Sequence, residues 1–183
     1  MKKQVINYET LLKITKAMSM SKNPQEVISL TVKSIRKSLD IKGSAIFLVN
    51  PNSKELELVA SDGLSKEYLN KGPLSALKSI AESLQDGPIA IDDVSDDPRI
   101  QYPEAAKKEG IASILSVPIY VRGEIIGNMR VYTSQQWEFT LEDVNFIQAL
   151  AQMSGIIIDM CRLYEGQHEM IDILTKMKES MPL

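Results

Sequence analysis

Apolar positions change period several times along the chain, and each change marks an element. Over Tyr8–Met18, residues Leu11, Leu12, Ile14, Ala17 and Met18 predict a short amphipathic helix with one side buried. Asn23-Pro24-Gln25-Glu26 then reads as an N-cap, a proline in the first helical turn and an early acid. Val27, Ile28, Leu30, Val32, Ile35 and Leu39 carry a second helix onward from it. From Gly43 the period drops to two: Ala45, Phe47 and Val49 alternate with Ser44, Ile46 and Leu48, and Asn50-Pro51-Asn52-Ser53 turns the chain into Glu55–Ala60, a hairpin.

Ser65–Leu84 is weakly helical between Gly72-Pro73 and Gly87-Pro88, which predicts short helices joined by turns, followed by a strand at Ile89–Ile91. Asp97-Pro98 reads as a cap and proline opening a polar helix through Glu104–Lys108, stopped at Gly110. Ile111–Val121 and Glu124–Thr133 form two β runs across a tight turn at Arg122-Gly123, with Pro118 marking an edge or a bulge. Thr140-Leu141-Glu142-Asp143 resembles a capping box, and the helix it starts can run past Gly166 to Met181. Strands joined by hairpins predict an α+β sandwich: a central antiparallel β-sheet with helices on both faces and a long C-terminal helix. The expected domain covers 1–165, and the last helix, 140–181, extends beyond it.

Composition narrows the chemistry. With 183 residues and 44% hydrophobic content, the chain can bury one core. The 21 Lys and Arg against 24 Asp and Glu offer no cationic excess for nucleic acid or an anionic membrane. No uninterrupted apolar run approaches the roughly 20 residues of a membrane span, and MKKQVINYET has no apolar stretch behind its lysines, so a cytoplasmic protein is expected. One cysteine, Cys161, and one histidine, His168, leave no material for a disulfide, a multi-cysteine metal site or a Ser-His-Asp triad that does not hang on that single histidine. No catalytic residue and no metal site is expected, and the acids Asp92, Asp93, Asp96 and Asp97 are read as turn and cap residues.

Several strings in order resemble the GAF domain, a PAS-related module of signalling proteins. They are Asn23-Pro24-Gln25-Glu26-Val27, Ser44–Val49, Leu56–Leu64, Ile91-Asp92-Asp93-Val94, Asp96-Asp97-Pro98-Arg99, Glu109–Ile119, Gly123-Glu124-Ile125-Ile126-Gly127, and Phe139 leading into Leu150-Ala151. The resemblance implies a sensory or regulatory role and a small-molecule pocket between the sheet and the helical excursion. It also implies tests by subfamily. Bilin attachment needs a cysteine near the chromophore, and Glu109–Ser116 has none. Haem and iron lack ligands within the domain, because Cys161 and His168 lie late on the last helix. A cyclic-nucleotide signature of Asn, Lys, Phe, Asp and Glu is matched in part by Asn128, Phe139, Glu142 and Asp143, with no lysine between the first two. The GAF-type methionine sulfoxide reductases use several cysteines, so an enzyme of that branch is disfavoured, and no cofactor is expected.

Within that frame Arg99 and Tyr102 are candidate ligand contacts. On the last strand Asn128, Arg130 and Tyr132 share one face, while Ile125, Gly127, Met129 and Val131 take the other. Either the polar face looks into a pocket, with Ser113 or Ser116 beside it, or it looks to solvent and is ordinary surface.

The final helix carries two apolar stripes. Ile147, Leu150, Ala151, Ser154, Ile157, Ile158 and Cys161 can cover the sheet. Phe146, Ala149, Met153, Ile156, Met160, Leu163, Met170, Leu174, Met177 and Met181 form a heptad seam broken at Gln167, which predicts a homodimer through this helix. The resulting expectation is a non-catalytic regulatory module that senses an unidentified small molecule and signals to a downstream protein through paired helices. The alternative is a dimerisation or partner-docking module without a ligand.

Overall fold

The computed structural model describes residues 8–20, 23–75 and 87–179. In chain order they form α1 (Tyr8–Met20), α2 (Pro24–Leu39), β1 (Gly43–Val49), β2 (Glu55–Asp62), α3 (Lys66–Leu69), β3 (Leu74–Ser75), β4 (Ile89–Ile91), α4 (Pro103–Glu109), β5 (Ser113–Val121), β6 (Glu124–Thr133) and α5 (Leu141–Glu179). The strands make one six-stranded sheet in the order β3-β2-β1-β6-β5-β4, with every neighbouring pair antiparallel. An antiparallel α+β sandwich was the expected class. The expected short helices of 65–84 reduce to α3 and the unanticipated β3, while 76–84 lie outside the described residues, as do the last two positions of the expected C-terminal helix.

Local chemistry sets the ends of the elements. The Asn23 carboxamide oxygen accepts from the Gln25 amide at 3.0 Å and Pro24 opens α2. Thr140 and Asp143 bond reciprocally through backbone amide and side chain, so an aspartate completes the capping box of α5. Arg122 (φ 51°) and Gly123 (φ 87°) both adopt positive φ, the mirror-image turn that suits the twist of a two-residue hairpin. Gly110 ends α4 in the left-handed conformation.

Asp97-Pro98 does not open a helix. The Asp97 carboxylate instead accepts from the Arg99 amide at 2.9 Å and its carbonyl from the Ile100 amide at 3.1 Å, a closed turn, and α4 begins only at Pro103. Pro118 lies on a local edge of β5: pairing with β4 stops at Ser116, and the Pro118 carbonyl accepts from the Gln148 side chain of α5 at 3.1 Å.

Two apolar layers sandwich the sheet. On one side Ile46, Leu115, Val117, Ile119, Met129 and Val131 pack with α2 and α5, contributing Val27, Ile28, Val32, Ile35, Ile147, Leu150, Ala151, Ile157 and Ile158, with Ile14 of α1 added. On the other side Ala45, Phe47, Ile114 and Tyr132 pack with Leu74 of the edge strand β3 and with Tyr68 of α3, Ala106 of α4 and Val94 and Ile111 of the loops. The Leu141–Tyr164 part of α5 is long and apolar enough to cross a membrane by length and composition. Its apolar side is instead filled by this core: Leu150 and Ala151 are fully buried and Ile157 is 3% exposed. Gly155 fits where α5 passes closest to β5, since a β-carbon there would come within 2.4 Å of the Tyr120 carbonyl oxygen.

Candidate functional site

Because β6 is central, both of its faces are covered, and the alternation of its side chains divides them. Met129 and Val131 enter the α2/α5 layer, while Asn128, Arg130 and Tyr132 enter the layer beneath α3 and α4. The open question of the polar face is thereby answered: Asn128 is fully buried, Arg130 is 6% exposed and Tyr132 is 1% exposed. In register, Arg130 lies between Ala45 and Ser116, and Asn128 between Phe47 and Pro118. Ser116, Asn128, Arg130 and Tyr132 therefore form one buried polar patch on the sheet.

Their hydrogen bonds are incomplete. The Asn128 amide nitrogen donates to the Ser116 hydroxyl at 3.1 Å, while the Asn128 carboxamide oxygen has no partner. The Arg130 guanidinium lies 5.2 Å from the Phe47 ring centre, and its Nε has no partner. An unpartnered buried donor or acceptor costs about 1–3 kcal/mol, and more where it belongs to a charged group, so two of them on one face need a reason.

Tyr68 and Lys71 complete the patch, and sequence reasoning passed over both. Tyr68 on α3 meets Tyr132 edge to face at 6.0 Å, and its hydroxyl pKa is pushed far up, first by burial and then by Tyr132. The Lys71 ammonium sits 3.8 Å above the Tyr68 ring and donates to the Tyr68 carbonyl at 3.1 Å. Burial, with the Arg130 charge adding to it, lowers the Lys71 pKa to about 8. The faint signal in the sequence is Tyr68-x-x-Lys71 immediately before Gly72-Pro73, an aromatic and a cation at the mouth of a turn.

Glu109 is the acid whose charge reaches this patch, and it is already engaged. It accepts from the Ser65 amide and hydroxyl and pairs with Lys42 at 3.4 Å. Burial pushes its carboxyl up, but Ser65 and Lys42 together outweigh that and hold it below the ordinary value of 4.5. A folded pKa below the unfolded one means that Glu109 stabilises the fold fully above pH 4.5, and that this contribution is lost as pH falls through the folded value. Glu109→Gln should therefore flatten the acid limb of a plot of melting temperature against pH, which circular dichroism at successive pH values would measure.

The other candidates are placed elsewhere. Ser113 belongs to the opposite face of β5 from Ser116. Its hydroxyl donates to the Asp92 carbonyl at 2.6 Å and accepts from the Trp137 amide at 2.9 Å, tying two loops together rather than lining the patch. Arg99 is held by Asp97 and donates to the Ala90 carbonyl at 3.3 Å, and the Tyr102 hydroxyl donates to the Pro73 carbonyl at 2.8 Å. Both are committed to loop packing. Asp93 accepts from the amide and hydroxyl of Ser95 and from Gln136.

Along α5 the two stripes separate after the first turn. Phe146, assigned to the heptad seam, is 7% exposed and joins the chain's own core with Ile147, since at that level α5 is flanked by Leu39, Ile41 and Trp137 as well as by the sheet. Further on, Ala149 is exposed and Met153 half-buried. Ile156, Met160, Leu163 and Met170 are 55%, 45%, 51% and 58% exposed. The side chains of Leu174 and Met177 lie outside the described residues.

An antiparallel sheet with α2 and α5 on one face and a buried polar patch on the other defines a class of small α+β modules. The family model for the GAF domain matches residues 23–158, and the chain belongs to that family. Among solved structures, a GAF domain from a phosphoenolpyruvate-protein phosphotransferase of Coxiella burnetii is 21% identical with a TM-score of 0.76, over 87% of this chain and 96% of that one. The GAF domain from the Acinetobacter phosphoenolpyruvate-protein phosphotransferase is 17% identical with a TM-score of 0.74, over 89% and 99%. A free methionine-R-sulfoxide reductase from Neisseria meningitidis, solved with its substrate, is 17% identical with a TM-score of 0.73, over 86% and 90%. At such identities the likeness speaks for the fold. No curated protein sequence matches significantly.

Proposed function

We propose that this chain is a non-catalytic, cytoplasmic regulatory module in which a small molecule binds over the Ser116, Asn128 and Arg130 patch and alters the pairing of α5 with the α5 of a second copy. The observation that carries the reading is the buried arginine with an unpartnered Nε beside a buried carboxamide oxygen without a donor. A folded protein that needed only a core would fill this place with apolar side chains at lower cost. The phosphotransferase origin of the two GAF neighbours accords with a regulatory setting.

A route from the patch to α5 is available in the β5–β6 hairpin. Its turn residue Arg122 pairs with Asp159 of α5 at 3.1 Å, and Gly155 lets the helix touch the Tyr120 backbone. The exposed Ile156, Met160 and Leu163 supply the pairing surface, with methionine giving a soft, readjustable contact. Mass spectrometry of the protein purified from its own host and then denatured should release a small molecule. Sedimentation should show a dimer, and Ile156→Glu with Met160→Glu should make it monomeric while leaving the far-ultraviolet circular dichroism unchanged.

A dimerisation module without a ligand is the second reading, and the packing of Tyr68 against Tyr132 of the patch favours it. It predicts the same sedimentation behaviour and no released molecule.

A further inference from the structure

We propose that the patch is the anion-recognising half of the binding site and that its ligand is a small organic carboxylate bearing a hydrogen-bond donor, of the 2-hydroxy or 2-amino acid class. This rests on the small-molecule reading above and narrows it to a chemistry.

Charge points to an anion. Arg130 and Lys71 are close enough for the charge of one to weaken that of the other. Glu109, the acid that acts on Lys71, is spent on Ser65 and Lys42. Among the described residues no carboxylate pairs with Arg130 or Lys71. Each cation instead stands against an aromatic face, Arg130 against Phe47 at 5.2 Å and Lys71 against Tyr68 at 3.8 Å. A ring face is a weaker partner for a desolvated cation than a carboxylate, to which an arginine N–H makes a charge-assisted bond.

Asn128 restricts which anion fits. Its amide nitrogen is committed to Ser116, so it presents an acceptor, the carboxamide oxygen. A fully ionised oxyanion such as sulfate has no hydrogen to offer there and would set oxygen against oxygen. A carboxylate whose neighbouring carbon carries a hydroxyl or ammonium group satisfies both orphans, with its oxygens on Arg130 Nε and its donor on Asn128 Oδ1. The two residues stand two apart on one strand face, about 7 Å along the strand, which a small acid can bridge with help from the reach of the arginine side chain.

The test is a thermal-shift panel on the full chain using lactate, glycerate, serine and threonine, each against its own primary amide, with sulfate as the donor-free anion. At least one carboxylate should raise the melting temperature by about 5–10 °C at a hundredfold excess over its Kd, while its amide and sulfate do not. Arg130→Gln should weaken that carboxylate at least tenfold without lowering the ligand-free melting temperature. Should that variant not fold, Asn128→Asp, which sets a carboxylate beside Arg130, should abolish the response in a folded protein. A silent carboxylate panel, an equal response to amide or sulfate, or a full response from these variants overturns the proposal. If the panel is silent but the wild-type protein releases an uncharged molecule on denaturation, only this inference falls; if nothing is released either, the small-molecule reading falls with it.

Discussion

Leu150→Ala is expected to lower the unfolding free energy by about 3–5 kcal/mol, read from urea denaturation as a fall in the midpoint at constant slope. Leu150 is fully buried in the middle of α5, with Ile147 and Ala151 beside it and the sheet beneath. Its removal costs the transfer free energy of its methyl groups and leaves a cavity that a sheet clamped between two layers cannot close. A loss of that size is a large share of the roughly 5–15 kcal/mol that holds an ordinary domain together. Leu163→Ala on the same helix serves as the comparison. That side chain is 51% exposed, so the change should cost well under about 1 kcal/mol in a monomer and act mainly on pairing. Equal losses at the two positions would mean that α5 is not seated as described.

Gly155→Ala should destabilise by about 1–3 kcal/mol, against the sign that helix propensity assigns. Alanine is preferred over glycine inside a helix by about 1 kcal/mol. At position 155, however, the added carbon would fall 2.4 Å from the Tyr120 carbonyl oxygen and 3.2 Å from the Ile119 side chain, so helix and strand must part. Gly166→Ala on the same helix meets nothing within 4 Å, and there the propensity term acts alone, so stability should rise by up to about 1 kcal/mol. Thermal unfolding of the two variants side by side gives opposite shifts if α5 touches the sheet as described, and shifts of one sign if it does not.

What could be read from the residues follows the range of the interactions. Caps and turns were legible because their signals lie within four residues: Asn23-Pro24, Thr140 with Asp143, and Arg122-Gly123 each carry their own geometry. Asp97-Pro98 misled because an aspartate can cap either a helix or an isolated turn. The outcome was decided by Arg99, which folds back on the carboxylate. Alternation told which residues of β6 travel together, but not that their polar side is covered, since the cover includes Tyr68, more than fifty residues away in the chain. The same alternation separates Ser113 from Ser116 and was sufficient to choose between them. The heptad seam failed at Phe146 because a stripe fixes an angle around the helix, whereas the first turns of α5 are enclosed on more than one side.

The chain contains a single tryptophan, Trp137, and its position gives the protein an optical property. Trp137 stacks on Phe139 at 5.9 Å, and its amide is bound to Ser113 in the link between β6 and α5. All indole fluorescence therefore originates at the joint between the strand that carries Arg130 and the helix that carries the pairing surface. Emission colour and quenching at that joint report directly on whether the sheet and the helix shift against one another, with no label added.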